Sequence, residues 1–281
     1  MIGYLTWDPP RELLPWNIPF LDRPILWYGF LFALGFFLGY LVFCYLLHRE
    51  GISYKKANEI AEQFLLYIGL GAIIGARLGD VFFYQNPHQW LAEPLEILYI
   101  WQGGLSSHGA AVGILIALIF LTRRLKRRFK VSISFLKVLD YTVIPVALAG
   151  ACIRIGNFIN QEILGRPTEL PWGIIFLHPA DGSLITPRHP VQLYESAGYL
   201  VLFFLLLWLF KNKEFFLRTG KISGLFLVLL FGFRFFVEVF KEEQSMLLAP
   251  DFPFTMGQLL SIPLVLLGSY LLARKTERER L

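Results

Sequence analysis

The chain has 281 residues, of which 56% are hydrophobic and only 17% are charged. Soluble domains are about 45–50% apolar and about 25% charged, so this composition excludes an ordinary soluble protein. It also excludes an intrinsically disordered chain, because disorder requires low hydrophobicity and a high net charge. The net charge is +5, but the basic residues form short blocks between apolar runs. That arrangement is typical of a membrane protein and not of a nucleic-acid-binding one.

Seven apolar segments are long enough to cross a membrane. A helix needs about 20 apolar residues to span about 30 Å of hydrocarbon, and lipid cannot satisfy the backbone of an open sheet. We therefore predict an all-α, polytopic membrane protein that forms a single embedded domain over residues 1–281. The predicted transmembrane helices are Ile25–Leu47, Ile60–Phe83, Leu105–Leu121, Phe135–Phe158, Val191–Phe210, Ile222–Phe240 and Thr255–Ala273.

Lysine and arginine are distributed unequally between the two sides that these spans define. The connections after the first, third and fifth spans, together with the C-terminal segment, hold 17 of them, and the other side holds five. Cytoplasmic loops carry the basic excess, so the N-terminus is predicted outside and the C-terminus in the cytoplasm. The longer connections, 84–104 and 159–190, then lie outside, where we expect them to form a small cap.

Ionisable side chains inside the apolar spans are the first candidates for function. Each costs about 2.5–3.5 kcal/mol at the centre of a membrane, and such residues are usually functional. Three arginines are predicted in the outer halves of their spans, which indicates an outward-opening pocket for an anion. The clearest ionisable residues within the spans are Arg77, Asp80, Asp140, Arg154, Arg234 and Glu238.

The three arginines differ in their local surroundings. Arg77 has Asp80 at i+3 and Arg234 has Glu238 at i+4, so structural ion pairs are alternatives for both. Arg154 has no acid three or four residues away and is followed by a glycine and two asparagines. We therefore predict that Arg154 is unpaired and binds phosphate through its planar fork of donors. Phosphate at the outer surface of a membrane indicates a phospholipid head group.

The third span is preceded by a segment rich in glycine and serine. The paired glycines Gly103 and Gly104 let a backbone approach a ligand closely. His108 follows near the outer end of the span, and an imidazole with a pKa near 6.5 suits a general base at neutral pH. A purely structural histidine is the alternative. A serine hydrolase using Ser106 or Ser107 is disfavoured, because adjacent residues on one helix do not face each other.

Ordered motifs along nearly the whole chain resemble the prolipoprotein diacylglyceryl transferase family. The most specific is the segment from Arg154 to Glu162, followed by Gly165 and Thr168. The other matching motifs are Trp27-Tyr28-Gly29, Gly103-Gly104-Leu105-Ser106 with His108-Gly109, Arg188-His189-Pro190, Gln192-Leu193-Tyr194-Glu195, Arg234-Phe235 with Glu238, and Met256-Gly257-Gln258.

The resemblance implies the first step of bacterial lipoprotein maturation. In that reaction the diacylglyceryl group of phosphatidylglycerol moves to the thiol of a lipobox cysteine in a preprolipoprotein signal peptide. The products are a thioether and glycerol-1-phosphate, and the site faces outward from the cytoplasmic (inner) membrane. The resemblance assigns phosphate binding to Arg154, an essential role to Arg234 and a candidate base to His108. The expected substrate-binding residues are Tyr28, Gly103, Gly104, Arg154, Asn157, Asn160, Glu162, His189, Tyr194 and Glu238.

The residue chemistry agrees with this reaction. A thiol with a pKa of about 8.5 needs a base, and a phosphate leaving group needs donors such as Arg154 and Arg234. No cluster of His, Cys, Asp and Glu has the spacing of metal ligands, so no metal or cofactor is predicted. Membrane lipids are expected partners and nucleic acid is not. Two alternatives remain, namely a transporter or flippase of an anionic phospholipid and an intramembrane protease.

Overall fold

The structure is a computed structural model that describes residues 3–18, 23–83, 85, 94–98, 106–242 and 253–276. It is predominantly helical, and seven helices are long and apolar enough to cross a membrane. All seven predicted spans are therefore confirmed. The helices in chain order are α1 (Trp27–Arg49), α2 (Tyr54–Phe83), α3 (Ser107–Arg124), α4 (Phe135–Ile159), α5 (Val191–Lys211), the short α6 (Lys213–Leu217), α7 (Lys221–Val237) and α8 (Met256–Ala273).

Helix ends depart from the prediction where polar residues are good helix formers. Helix α2 begins at Tyr54, six residues before the predicted Ile60, because the intervening Lys, Glu and Ala residues favour helix without being apolar. Helix α3 continues beyond Arg124 as a π-helical turn over Leu125–Phe129. That turn ends at Lys130, whose φ of 56° places it in the left-handed region. Hydropathy alone therefore locates the spans better than their ends.

Among the residues that the structure describes, five short strands accompany the helices, and none of them was predicted from the sequence. Strands β1 (Leu5–Trp7), β4 (Ile174–Phe176) and β5 (Pro187–Arg188) form one sheet in the order β1-β4-β5. The β1–β4 pair is parallel and the β4–β5 pair antiparallel. Strands β2 (Glu12–Ile18) and β3 (Arg23–Leu26) form an antiparallel pair. Strands this short carry too little alternation of polar and apolar residues to be recognised in a sequence.

Contacts divide the chain into two compact units. The first contains Met1–Gly39 and Thr142–Arg278, and the second contains Tyr40–Tyr141 and Glu279–Leu281. The single embedded domain over residues 1–281 stays a prediction.

In the first unit, the segment after α4 folds around a small apolar cluster. Phe158, Leu164, Ile174 and Phe176 are buried together, and Trp7 packs against them. The Trp7 and Phe158 rings lie 4.5 Å apart between centroids, and the Trp7 indole N–H donates to the Phe158 carbonyl at 3.0 Å. Residues 159–190 are therefore folded, as expected for the predicted cap. Its position outside the membrane stays a prediction.

In the second unit, α2 and α3 approach each other closely along glycines. Gly71, Gly75 and Gly79 lie one helical turn apart on α2 and face Gly109 and Gly113 on α3. A Cβ atom on Gly75 would lie 2.8 Å from the Cα of Gly113, closer than real Cβ contacts allow. Small residues let transmembrane helices approach closely in this way. The packing fixes the start of α3, where the predicted base lies.

The predicted outer segment 84–104 lies mostly outside the described residues. Within it, the structure describes Gln85 and the short 3-10 helix Pro94–Leu98. Gly103 and Gly104, which were predicted to bind substrate, also lie outside the described residues. Their role stays a prediction.

Candidate active site

Arg154 lies five residues before the end of α4 and is paired, contrary to the prediction. Its Nε atom is 3.0 Å from Oε2 of Glu195, which is on α5 and fully buried. Its Nη1 atom donates a hydrogen bond to Oδ1 of Asn157 at 3.1 Å. The prediction was wrong because it considered only acids on the same helix, whereas the partner comes from a different helix.

The residues after Arg154 form a chain of hydrogen bonds that ends on a carboxylate. Asn157 donates to Oε2 of Glu162 at 2.9 Å, and Asn160 donates to Oε1 of the same group at 3.0 Å. The Tyr28 hydroxyl lies within hydrogen-bonding reach of Asn157. Gly156 makes room for Tyr28, since a Cβ atom there would lie 2.9 Å from the tyrosine ring. Four predicted site residues, Tyr28, Asn157, Asn160 and Glu162, are thus brought together beside Arg154.

Glu195 is shared between two cations. Its Oε1 atom accepts a hydrogen bond from Nζ of Lys241 at 2.8 Å, while its Oε2 atom faces Arg154. Lys241 is itself buried and lies 3.2 Å from Oε2 of Glu238. The four groups therefore alternate in sign from Arg154 through Glu195 and Lys241 to Glu238.

Arg234 lies on α7 and is partly buried. The expected structural alternative, an ion pair with Glu238, is not formed, because Glu238 pairs with Lys241 instead. Within the part of the chain that the structure describes, the Arg234 guanidinium forms no hydrogen bond or ion pair. An uncompensated guanidinium in an apolar helix is a strong attraction for an anion.

Tyr199 of α5 feels the charges of both arginines. Its buried hydroxyl lies within hydrogen-bonding reach of Arg154, and the positive charges of Arg154 and Arg234 both act on it. One arginine comes from α4 and the other from α7, so charges from two separate helices act on one buried hydroxyl. Both lie in the first unit, and their predicted joint role in binding an anion stays a prediction.

His189 and Tyr194 form a separate polar and aromatic group at the start of α5. The His189 Nδ1 atom is 3.3 Å from the Tyr194 hydroxyl, which also accepts a hydrogen bond from the Trp172 indole at 2.8 Å. The His189 ring lies 5.0 Å from the ring of Phe240. Burial lowers the pKa of His189 below its ordinary value. These contacts account for both residues within the fold, and substrate binding by them stays a prediction.

His108 and Arg77 belong to the second unit. His108 is the second residue of α3 and is exposed. Its neighbour Ser106 is buried and caps the helix by accepting from the Gly109 N–H at 3.3 Å, which argues against the serine hydrolase. Arg77 forms the structural pair with Asp80 at 3.7 Å and donates to the Ile97 carbonyl at 3.0 Å.

His108 lies at one end of an apolar groove of about 940 Å³ between α2 and α3. The groove continues along both helices to Gln63 and Arg124 at its other end. Among the described residues, no group of three or more His, Cys, Asp or Glu side chains is arranged to hold a metal ion.

Comparison with known proteins decides the family. A model of the family described as prolipoprotein diacylglyceryl transferase matches residues 16–274. The chain belongs to the prolipoprotein diacylglyceryl transferase family. Three relatives carry the name Phosphatidylglycerol--prolipoprotein diacylglyceryl transferase. One from Tolumonas auensis is 42% identical over 88% of this chain and 89% of its own. One from Porphyromonas gingivalis is 39% identical over 97% of this chain and 95% of its own. One from Protochlamydia amoebophila is 34% identical over 100% of this chain and 97% of its own.

Membership in the prolipoprotein diacylglyceryl transferase family makes the chain a multi-pass membrane transferase. Three residues of the network around Arg154 emerge only from the structure. Glu195, Tyr199 and Lys241 were not predicted as site residues. A signal for two of them was present, because Gln192, Glu195, Ser196 and Tyr199 recur at helical spacing on an otherwise apolar helix. All four are buried. Lys241 had no comparable signal, since it follows the end of α7 in an irregular segment.

Proposed function

We propose that this protein transfers the diacylglyceryl group of phosphatidylglycerol to the thiol of a lipobox cysteine in a preprolipoprotein. The observation that carries the proposal is the presence of Arg154 and Arg234 on two apolar helices of one unit, where both charges act on Tyr199, with no ion pair to Arg234 among the described residues. Two guanidiniums in an apolar setting suit a phosphate ester in a phospholipid. The names of the relatives supply the same pair of substrates.

In the proposed mechanism, the arginines hold the lipid phosphate and stabilise the charge that grows on it. His108 takes the proton from the cysteine thiol, because a thiol with a pKa of about 8.5 is mostly protonated at neutral pH. The thiolate sulfur attacks the glyceryl carbon that carries the phosphate ester, so a C–S bond forms as the C–O bond breaks. Glycerol-1-phosphate leaves with the electron pair, and the proton on His108 passes to water.

The remaining contacts suggest how the lipid is oriented. Asn157, Asn160 and Tyr28 lie beside Arg154 and offer polar groups to the glycerol part of the head group. Glu162 holds the two asparagine side chains in place through both of its oxygens. We further propose that the enzyme lies in the bacterial inner membrane with this site toward the outer face, because the basic excess assigns the opposite side to the cytoplasm.

The test is a transfer assay with purified protein in micelles that contain phosphatidylglycerol and a synthetic lipobox peptide. Mass spectrometry should detect a peptide that has gained one diacylglyceryl group, together with an equal amount of glycerol-1-phosphate. A peptide with Ser in place of the lipobox cysteine should remain unmodified, since a hydroxyl is far less acidic than a thiol. Cleavage of the peptide, or movement of lipid across vesicle membranes without thioether formation, would refute the proposal.

A further inference from the structure

One buried lysine, Lys241, has no role in the proposed mechanism. It is linked to Arg154, the predicted phosphate ligand, through the carboxylate of Glu195, which both cations contact. Lys241 follows α7 and is only 5% exposed. Its backbone is held in place, because its carbonyl accepts from Arg166 at 2.9 Å and it forms a bridge with Gly165. Its Nζ atom is then held between the carboxylates of Glu195 and Glu238 at 2.8 and 3.2 Å.

The contact between Glu195 and Arg154 is mainly electrostatic. The Nε and Oε2 atoms are 3.0 Å apart, yet Oε2 receives no well-aligned hydrogen bond within the described residues. Such a pair is held by charge more than by direction. A fully buried carboxylate in this position, if it acted alone, would neutralise Arg154 and compete with an anionic ligand for it.

Lys241 changes that balance. Taken as ionised, Arg154, Glu195, Lys241 and Glu238 sum to zero, so neither carboxylate is left in excess beside the phosphate-binding guanidinium. Removal of the lysine charge would leave the group at −1 and lower the attraction of Arg154 for an anion. Removal of the Glu195 charge as well would return the sum to zero.

We propose that Lys241 is a positioning residue that sets the affinity of Arg154 for the lipid phosphate by offsetting the charge of Glu195. It does so without touching the lipid. This inference rests on the proposed function, since it takes phosphatidylglycerol as the ligand of Arg154. It differs from a purely structural role because it predicts that a second loss of charge repairs the first.

The experiment measures the dissociation constant for phosphatidylglycerol, titrated into phosphatidylcholine nanodiscs that contain the full chain, alongside KM and kcat for transfer. Lys241→Gln should weaken binding about tenfold, which corresponds to about 1.4 kcal/mol. The double variant Glu195→Gln/Lys241→Gln should bind within about threefold of the unsubstituted protein. Lys241→Arg should also retain the affinity, because it keeps the charge.

Lys221 provides a matched control. It is also a buried lysine of the first unit, but it donates to the carbonyls of Leu272 and Arg274 and, among the described residues, to no carboxylate. Lys221→Gln should lower thermal stability to a similar or greater extent without changing the affinity for phosphatidylglycerol. The comparison separates the loss of a buried lysine from the loss of charge balance at Arg154.

The outcomes distinguish this inference from the proposed function. If the unsubstituted protein neither binds phosphatidylglycerol nor transfers it, both are overturned. If it does both, and the double variant binds as weakly as Lys241→Gln or more weakly, only the charge-balance role is overturned. If Lys221→Gln weakens phosphatidylglycerol binding as much as Lys241→Gln does, the charge-balance role is also overturned. Recovery of affinity in the double variant, with Lys221→Gln unchanged, supports the role, even if the double variant is the least stable protein.

Discussion

At the scale of single residues, the Arg154 guanidinium is engaged on two sides by protein groups. Glu195 faces its Nε atom at 3.0 Å, and Asn157 accepts from Nη1 at 3.1 Å. A guanidinium has five N–H donors in a fixed plane, so it can hold these partners and still donate to a phosphate. A lysine ammonium in its place has three donors at a single point.

We therefore expect Arg154→Lys to lose most of the transfer activity even though the charge is kept. The ammonium cannot reach Glu195 and Asn157 and also form a bidentate contact with phosphate. The measurement is kcat/KM for phosphatidylglycerol in the transfer assay, with a predicted fall of about 10²-fold, or about 2.7 kcal/mol. Turnover close to that of the unsubstituted protein would show that charge alone is sufficient and that the fork has no role.

His108 provides a prediction with a pH signature. His108→Ala should lower transfer about 10²- to 10⁴-fold at neutral pH, the usual contribution of a general base, and leave phosphatidylglycerol binding unchanged. Raising the pH toward about 8.5 should partly restore activity, because the thiol then ionises without a base. The control is Arg154→Ala, which should bind the lipid more weakly and gain nothing specific from higher pH. Full activity of His108→Ala at neutral pH, or the same pH response in both variants, would contradict this division of roles.

At the scale of elements, α5 shows how an apolar span can carry a polar site. Gln192, Glu195, Ser196 and Tyr199 lie on one face and are all buried. Gln192 donates to the Glu162 carbonyl at 2.7 Å, and Ser196 donates to the Ala151 carbonyl at 3.1 Å. Polar groups buried in this way stabilise only when they are paired, since an unpaired one costs about 1–3 kcal/mol. The face therefore fixes α5 against α4 and positions Glu195 beside Arg154.

The glycine contact between α2 and α3 leads to a prediction about stability. Gly75→Ala should destabilise the protein by about 1–3 kcal/mol, because the added methyl group would overlap with the backbone of Gly113. Gly69→Ala is the matched control, since it lies on the same helix with no atom within 4 Å of the added Cβ. Both changes improve helix propensity equally. In mixed micelles, the unfolding midpoint of Gly75→Ala should therefore be lower than that of Gly69→Ala. Equal midpoints would show that the close approach of α2 and α3 does not contribute to stability.

At the scale of the whole molecule, the distribution of basic residues predicts the orientation. The 17 lysines and arginines on one side, against five on the other, place the C-terminus in the cytoplasm. A fluorescent protein fused after Leu281 should therefore fluoresce, and alkaline phosphatase at the same position should be inactive. Alkaline phosphatase inserted at Gly182, in an exposed turn, should be active. The reverse pattern at the two positions would overturn the predicted topology and the outward-facing site.

The sequence by itself determined the seven spans, their order and the family. These follow from local properties, since a span needs only enough consecutive apolar residues and a family match needs only ordered motifs. It also identified Arg154 and Arg234 as candidates, because ionisable residues in apolar spans are conspicuous, and the family resemblance added Asn157 and Glu162. Which of these residues form ion pairs could not be predicted from the sequence in the same way. Local spacing suggested a partner for Arg234 and none for Arg154, and both suggestions were wrong.

Only the tertiary structure decided the electrostatics of the site. Arg154 is paired because α5 brings Glu195 to it, and Arg234 is free of Glu238 because Lys241 takes that carboxylate. Contacts between separate helices depend on which faces pack together, and a sequence read one span at a time does not contain that information. The short strands were missed for a related reason, because they are stabilised by partners distant in the chain. The sequence shows which side chains can carry a charge, but which of these charges offset one another depends on how the helices pack.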